Sequence, residues 1–418
     1  MGVWEYLEDP GELLPLLTSP LGGETARFIE ESLIALRGAK DPSVLHDIQI
    51  GLAKALVDVE KAYGDACRRE RKDGGSGFEP RLWRRTMVQL RSLGDAIAWH
   101  FLGCRRQWIL MLGINQHPGL MSDKTGFDDE FQAFERHWAA GEPTLWTGLT
   151  NCITATDLLV RQDDILSAFE VKHSPKGKRR EQTARLQDLI RRINEDPRED
   201  FEDGPTWFQE SPVPLASFWT EAEPHVRRAV AEGAASWVPT PGVAIMFNSW
   251  PTMARIGQEA GEKIVAREQT AAGDQVGYGR HRVLFHSKDL PYLFARTAPM
   301  TIFPVSPASA AAFATNQILF TIELYIDRLI DDLRAVGANP TNLLESAPPG
   351  KLPAGILRWT RPDNLKITLN GAGLQQLAYE LNDPTTWVRA FSSTPLPPKK
   401  ARKWSTYVCL ANETDVWS

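Results

Sequence analysis

Asp157, Glu170 and Lys172 are the residues whose types and spacing could do chemistry. Successive side chains of a strand alternate between its two faces. Read as a strand, Ile165–His173 sets Leu166, Ala168, Glu170 and Lys172 on one face and Ile165, Ser167, Phe169 and Val171 on the other. Glu170 and Lys172 are then neighbours near the strand's end. In the preceding strand Asp157 shares a face with Ala155 and Leu159. A polar turn, Arg161-Gln162-Asp163-Asp164, folds the two strands into an antiparallel hairpin and brings Asp157 beside Glu170. Two carboxylates in one place repel, and one takes up a proton unless a cation bridges them. Oxygen donors of this kind suit Mg²⁺ or Mn²⁺, which keep several waters and take further oxygens from a phosphate. An ammonium beside the ion can position or deprotonate the attacking water and offset charge on a pentavalent phosphate. The set suits hydrolysis of a phosphodiester.

The segment that follows supplies a substrate argument. Lys172, Lys176, Lys178, Arg179, Arg180, Arg185, Arg191 and Arg192 fall within one short stretch, opposed only by Glu181 and Asp188. The whole chain has a formal net charge of -6, so this is a local excess. Phosphate backbones are held by such local clusters of Lys and Arg. Lys178–Asn194 reads as a helix stopped by Pro197, and its first turn presents backbone N–H groups that favour anions. Lys176, Lys178, Arg179, Arg180 and Arg185 are the expected nucleic-acid contacts.

These motifs resemble a known family. Thr156-Asp157, twelve residues, then Glu170-Val171-Lys172 is similar to the signature of the PD-(D/E)xK, restriction-endonuclease-like nuclease superfamily. That family's core runs helix, three strands, helix, strand. The order Asp128–Ala140, Leu145–Val160, Ile165–His173, Lys178–Asn194 and a later strand is similar to it. The resemblance implies metal binding by Asp157, Glu170 and the backbone carbonyl of Val171, with Lys172 catalytic. It also implies an acid from the first helix, for which Glu135 is the choice and Glu130 the rival. A helical glutamine is implied as well, with Gln182 ahead of Gln187. Thr156 stands where the family has proline, and Leu186 follows Gln182 where a tyrosine is usual. The resemblance covers residues 125–195, under a fifth of the 418.

The positioning elements follow from periodicity and punctuation. Thr25–Leu36, Val44–Lys72 and Pro80–Ile114 carry apolar residues at helical spacing, with glycine-rich Asp73–Gly77 between the last two. Residues 197–240 read as irregular apart from a helix near Glu221–Glu232. Val243–Asn248, Arg282–Ser287 and Met300–Pro304 read as strands, and Ala308–Val336 as one long helix closed by Gly337. After the Pro-rich Ala347–Pro353 come a strand at Leu365–Leu369, a helix at Gly373–Leu381 and a last strand at Thr406–Leu410. The expected architecture is α/β (α+β), a restriction-endonuclease-like mixed sheet flanked by helices. A helical N-terminal domain (1–118) precedes the nuclease core with an insertion (119–305), and a small C-terminal α/β region (306–418) follows.

Composition narrows the function classes. Apolar residues at 42% and charged residues at 24% fit a globular protein with sizeable cores. Cys67, Cys104, Cys152 and Cys409 form no CxxC pair, which argues against a zinc ribbon or disulfide framework and for reduced thiols in a cytoplasmic protein. Phe101–Ile114 and Ala298–Leu324 are the most apolar stretches, and both are interrupted short of the roughly 20 residues a membrane span needs. No GxxxxGK[ST] loop and no GxSxG elbow occurs, which disfavours an ATPase and a serine hydrolase. His173 alternates away from the site, and His281 and His286 read as structural. The fourteen tryptophans read as core, with Trp138 and Trp146 near enough to stack on bases. The expectation is a Mg²⁺- or Mn²⁺-dependent endonuclease acting on DNA, in a setting such as defence against foreign DNA. Flanking regions would choose the substrate, sense a signal or build a homo-oligomer or a protein complex. The alternatives are a non-catalytic nucleic-acid-binding scaffold that keeps the fold, and an RNase.

Overall fold

A computed structural model describes residues 20–39, 41–74, 77–113, 119–121, 126–162, 165–171, 179–195, 198–201, 204–211, 213–277, 281–287, 298–346, 355–395 and 405–409. The chain is of the α+β class. It opens with the helices α1 (Pro20–Gly38), α2 (Ser43–Asp73), α3 (Phe78–Phe101) and α4 (Arg106–Leu112). On α2 the buried residues Leu45, Ile48, Leu52, Leu56 and Val59 recur at spacings of three and four, which is the stripe that packs on α3. The helix expected over Pro80–Ile114 is interrupted. Gly103 and Cys104 take left-handed backbone (φ 62° and 55°), and the Cys104 N–H returns to the Trp99 carbonyl, a closure that ends α3 before α4 begins.

Next come α5 (Phe127–Ala139), β1 (Thr144–Trp146), a 3₁₀ turn at Thr147–Leu149, β2 (Leu158–Gln162), β3 (Ile165–Phe169) and α6 (Arg179–Glu195). The strands form one antiparallel sheet in the order β1-β2-β3. They are shorter than expected. Residues 147–157 cross from β1 to β2 in a 3₁₀ turn and irregular chain, and β3 ends at Phe169. Helices α5 and α6 pack on β1 and β3, and α3 packs on the 3₁₀ turn.

Both outer edges of this sheet meet side-chain amides. Gln49 of α2 donates to the Thr144 carbonyl (3.0 Å) and accepts from the Trp146 N–H (2.8 Å) along β1. Asn194 of α6 donates to the Leu166 carbonyl (3.0 Å) and accepts from the Leu166 N–H (3.2 Å) along β3. Each amide supplies what another strand would supply there, and edge groups satisfied in this way no longer template a further strand.

The rest of the chain corrects several expectations. The stretch 197–240 holds strands as well as a helix: β4 (Arg198–Phe201), β5 (Gly204–Glu210) and β6 (Ala234–Thr240), with α7 (Trp219–Glu232) between. Proline hid β6, which is tolerated because β6 is an edge strand with a register shift between Trp237 and Thr240. Then follow β7 (Val243–Ser249), α8 (Trp250–Ile256), α9 (Gln258–Val276) and β8 (Arg282–His286). Met300–Ile302 is a 3₁₀ turn rather than a strand. The carbonyls of Thr301, Phe303 and Val305 go to the Arg37 guanidinium of α1 instead of to a neighbouring strand.

The long helix expected over Ala308–Val336 is α10 (Pro307–Ala314), β9 (Ile318–Tyr325) and α11 (Ile326–Ala335). Asn316 at φ 57° turns the chain out of α10. Ile318, Phe320, Ile322 and Leu324 are then buried in strict alternation, which is a strand's period. Gly337 at φ 78° follows α11. A four-stranded antiparallel sheet runs β6-β7-β9-β8. The tail adds β10 (Asn339–Asn342), β11 (Leu357–Thr360), β12 (Lys366–Leu369), α12 (Gly371–Tyr379), α13 (Pro384–Ser393) and β13 (Ser405–Cys409). β13 pairs parallel to β5 and gives the mixed sheet β13-β5-β4. The Pro-rich Ala347–Pro353 lies outside the described residues. No described helix is long and apolar enough to cross a membrane.

One buried cluster draws members from Ile29 to Ala390. Buried ion pairs run through it. Arg91 meets Glu60 (3.3 Å), which also accepts from the Met121 N–H, and Arg106 meets Glu380 (2.6 Å). Gly94 of α3 lies hard against the 3₁₀ turn after β1, where a Cβ would overlap the Leu149 carbonyl. We therefore expect Gly94→Ala to cost about 3 kcal/mol through overpacking. Denaturant unfolding checks this, and a loss below about 0.5 kcal/mol, the size of an ordinary surface substitution, would refute the close approach.

Candidate functional site

The hairpin register positions the two expected acids. Leu158 faces Phe169, Leu159 faces Ala168 and Val160 faces Ser167. One more step along this register brings Asp157 opposite Glu170, just past the last hydrogen-bonded pair. The Val171 N–H donates to Asp157 Oδ2 at 2.9 Å, so the carboxylate lies against the chain that carries Glu170. The strands are joined by Asp163-Asp164 rather than by the four-residue turn, because Arg161 and Gln162 are paired within the ladder. Both acids are half-buried, and each has polar contacts within the molecule.

The backbone around Asp157 is held from two sides. Thr147 donates its N–H to the Asp157 carbonyl (3.1 Å), and its hydroxyl lies against the carbonyls of Asp157 (3.1 Å) and Thr156. The Thr156 hydroxyl reaches across to the Phe169 carbonyl (2.9 Å). Thr156 is buried and gives this cross-strand bond at a place where a proline would have no hydroxyl. Val171 packs against the main core.

The helical acids separate clearly. Glu130 is 4% exposed and accepts from Trp146 Nε1 at 3.0 Å, on the face of α5 that carries buried Ala133 and Phe134. Glu135 is more exposed and meets His46 Nε2 of α2 at 2.9 Å. The two acids are five residues apart, about 140° around a helix, so one helix cannot turn both to the same spot. The structure places Glu130, the rival, beside β1 and engages Glu135 with α2. Trp146 is fully buried, which removes it as a base-stacking surface, and Trp138 donates to the Thr144 carbonyl.

Lys172, His173, Lys176 and Lys178 lie outside the described residues. Arg179, Arg180, Gln182 and Arg185 stand on α6, but their side chains also lie outside what is described. Leu186 is buried and Gln187 is exposed. Arg191 and Arg192 both pair with Asp188, whose carboxyl they hold below the usual range, first through the Arg191 hydrogen bond. His281 pairs with Asp327 and His286 with the Thr321 hydroxyl, as structural histidines do.

Among the described residues no three His, Cys, Asp or Glu side chains gather to hold a metal. Two carboxylates at facing register positions, with the Val171 peptide next in the chain, are by donor type a hard-oxygen set that fits Mg²⁺, an ion that keeps several of its waters. Sequence reasoning missed Asp95 of α3. It is buried and accepts from the Asn151 and Cys152 N–H groups (2.7 and 2.8 Å) and from Asn151 Nδ2 (2.9 Å), on the segment that leads to Asp157. Only its contacts disclose it, since an isolated acid on a helix carries no signal.

At the other end of β2, a cavity of about 400 Å³ is lined by Asp41, Leu45, His100, Phe101 and Arg161. Burial, and then the Arg161 charge, hold His100 below the ordinary imidazole range. The unfolded chain therefore takes up this proton at a higher pH than the fold does. The stability tied to neutral His100 is present above the ordinary value, about 6.5, and is lost as pH falls through the folded value. We expect His100→Gln to reduce the loss of unfolding free energy between about pH 7 and pH 5. Parallel slopes for the two proteins would refute this. Nearer the site, Thr147→Val leaves two carbonyls short of a hydroxyl donor. It should cost about 1–3 kcal/mol and speed hydrogen exchange at Leu158. Unchanged exchange and unfolding would show that this threonine does not brace Asp157.

No protein-family model, no curated protein and no solved structure matches the chain.

Proposed function

We propose that the chain is a Mg²⁺-dependent nuclease of the PD-(D/E)xK kind, cutting DNA by attack of water on phosphorus. The observation that carries this reading is the hairpin edge, where Asp157 accepts from the Val171 N–H and stands at the register position opposite Glu170. The element order α5, β1, β2, β3, α6 is similar to the start of the family's core, but the next strand, β4, pairs with β5 in a separate sheet, and the site's sheet is antiparallel where a mixed one was expected.

In this reading Asp157, Glu170 and the Val171 carbonyl hold the ion, with Glu130 rather than Glu135 as the helical acid. When bound, Mg²⁺ polarises a phosphate oxygen and makes water a better nucleophile near neutral pH. Lys172, next in the chain, positions that water and offsets charge as the bond to phosphorus forms. The basic residues at the start of α6 hold the flanking phosphates, and the α6 N-terminus adds its backbone N–H groups. Gln182, on α6, assists in this reading. DNA is the proposed substrate because the resembled family acts mostly on DNA, and defence against foreign DNA is the proposed setting.

Plasmid incubated with the full chain and Mg²⁺ tests the proposal. Asp157→Asn, Glu170→Gln and Lys172→Ala should each reduce cutting by about a hundredfold or more, and EDTA should stop it. Equal cutting by all four proteins would refute the site. An RNA substrate in parallel separates an RNase, and Mn²⁺ uptake without cutting of either nucleic acid would identify a binding scaffold.

A further inference from the structure

Asp95 is a buried carboxylate on α3, remote in sequence from every residue given a chemical role above. Burial pushes its carboxyl up from the usual range, and hydrogen bonds from Asn151 and Cys152 oppose that push. A buried carboxylate is costly to keep, and an apolar residue would fill the same space without that cost. Its contacts form a chain that ends at the candidate metal edge. Asp95 Oδ1 accepts from the N–H groups of Asn151 and Cys152, and Oδ2 accepts from the Asn151 amide. The same amide lies 3.3 Å from the Val88 carbonyl, two α3 turns earlier.

The next residue inward continues the chain. The Thr150 hydroxyl is 2.9 Å from the Thr147 carbonyl and 3.1 Å from both the N–H and the carbonyl of Ile153, and the Thr150 N–H also donates to the Thr147 carbonyl. Thr147 in turn grips the Asp157 carbonyl through its N–H and its hydroxyl. Gly94, beside Asp95, has no Cβ and lets the Leu149 carbonyl come against the helix. The loop is thus pinned at Leu149, Asn151 and Cys152 to a helix that does not bend with it.

We propose that Asp95 is a positioning residue for the metal edge: its carboxylate fixes the loop 147–157 so that Asp157 meets Glu170 at one cation-sized separation. Resting on the metal-site reading above, this adds a support from α3 to the residues that would touch the ion. Groups that orient metal ligands from behind typically change metal affinity by about 10- to 100-fold when altered. Asp95→Asn keeps the shape but turns an acceptor into a donor facing the Asn151 amide.

The test is Mn²⁺ titration of the full chain by calorimetry, with the Mn²⁺ dependence of plasmid cutting as a second readout. Asp95→Asn should weaken Mn²⁺ binding about tenfold and move half-maximal cutting to higher Mn²⁺, with less effect on the rate at saturation. Thr150→Val, which breaks the same chain one link further on, should shift both readouts the same way. Val388→Ala in α13 is the stability control, and at a comparable loss of melting temperature it should bind Mn²⁺ within about twofold of wild type. If Asp95→Asn does not fold, Thr150→Val decides. Wild-type affinity in both loop variants, or an equal loss in Val388→Ala, overturns the positioning role. A wild-type chain that takes up no Mn²⁺ overturns the metal-site reading itself, and the inference falls with it.

Discussion

The register of β3 against β2 is the constraint on which the proposed site depends, and the apolar pattern of β3 does not choose it. Leu166 is buried, but Ile165 and Phe169, on the opposite face, are exposed at 63% and 40%. A slip of one residue would exchange the faces and bury two large apolar side chains in place of Leu166 and Ala168. By hydrophobicity alone that exchange would be favourable by roughly one large apolar side chain, about 1.5–3 kcal/mol. Polar pins decide. Asn194 holds both backbone groups of Leu166 from outside the sheet, Thr156 reaches the Phe169 carbonyl, and Asp157 accepts from Val171. Flipping β3 would turn the Leu166 groups inward and break all of these bonds, at about 1–3 kcal/mol for each buried group left unsatisfied.

Those pins come from both sides of the hairpin in sequence. Asn194 belongs to the helix after it, and Gln49 and Asp95 to helices well before it. Gln49 closes the β1 edge, Asp95 holds the loop between β1 and β2, and His46 pairs with Glu135. The N-terminal helices are thus the back wall of the candidate site. The buried pairs Arg91–Glu60 and Arg106–Glu380 fasten that wall, the first through Gly119 and Met121 to the chain just before α5 and the second to α12 and the segment after it. A buried pair is a poor source of net stability, but the loss of one partner is severe. It therefore fixes where elements sit more than it adds to how firmly they hold.

Local pattern was enough to read the hairpin, the amphipathic helices α2, α5 and α6, and the strands β7, β8 and β12, because each carries its own period or its own turn. It failed where the evidence was non-local. Ile318–Tyr325 sits between two helical stretches without a glycine or proline to mark it, and only the left-handed Asn316 and the neighbouring strands β7 and β8 make it a strand. Met300–Pro304 has a strand's composition, but a guanidinium more than 260 residues away in sequence takes its carbonyls. At the candidate site, the facing register of positions 157 and 170 was legible because strand alternation is a local rule. The different surroundings of Glu130 and Glu135 were not, since both look alike on a helix until Trp146 and His46 claim one each.

A site of this kind belongs at the end of a hairpin rather than in its middle. Within the ladder, backbone groups are spent on the partner strand, and both faces of β2 are covered: Leu158, Leu159 and Val160 are all buried. Two residues past the ladder, the Val171 N–H is available to a side chain and takes Asp157. There the strands still hold their spacing, but peptide groups are released from pairing with each other. Two acids can then stand opposite one another beside a peptide carbonyl and solvent, which is what a hydrated divalent ion requires. The cost is an edge without a ladder to keep it rigid. The loop hydrogen bonds that run from Asp95 through Thr150 and Thr147 to Asp157 supply rigidity from the opposite direction.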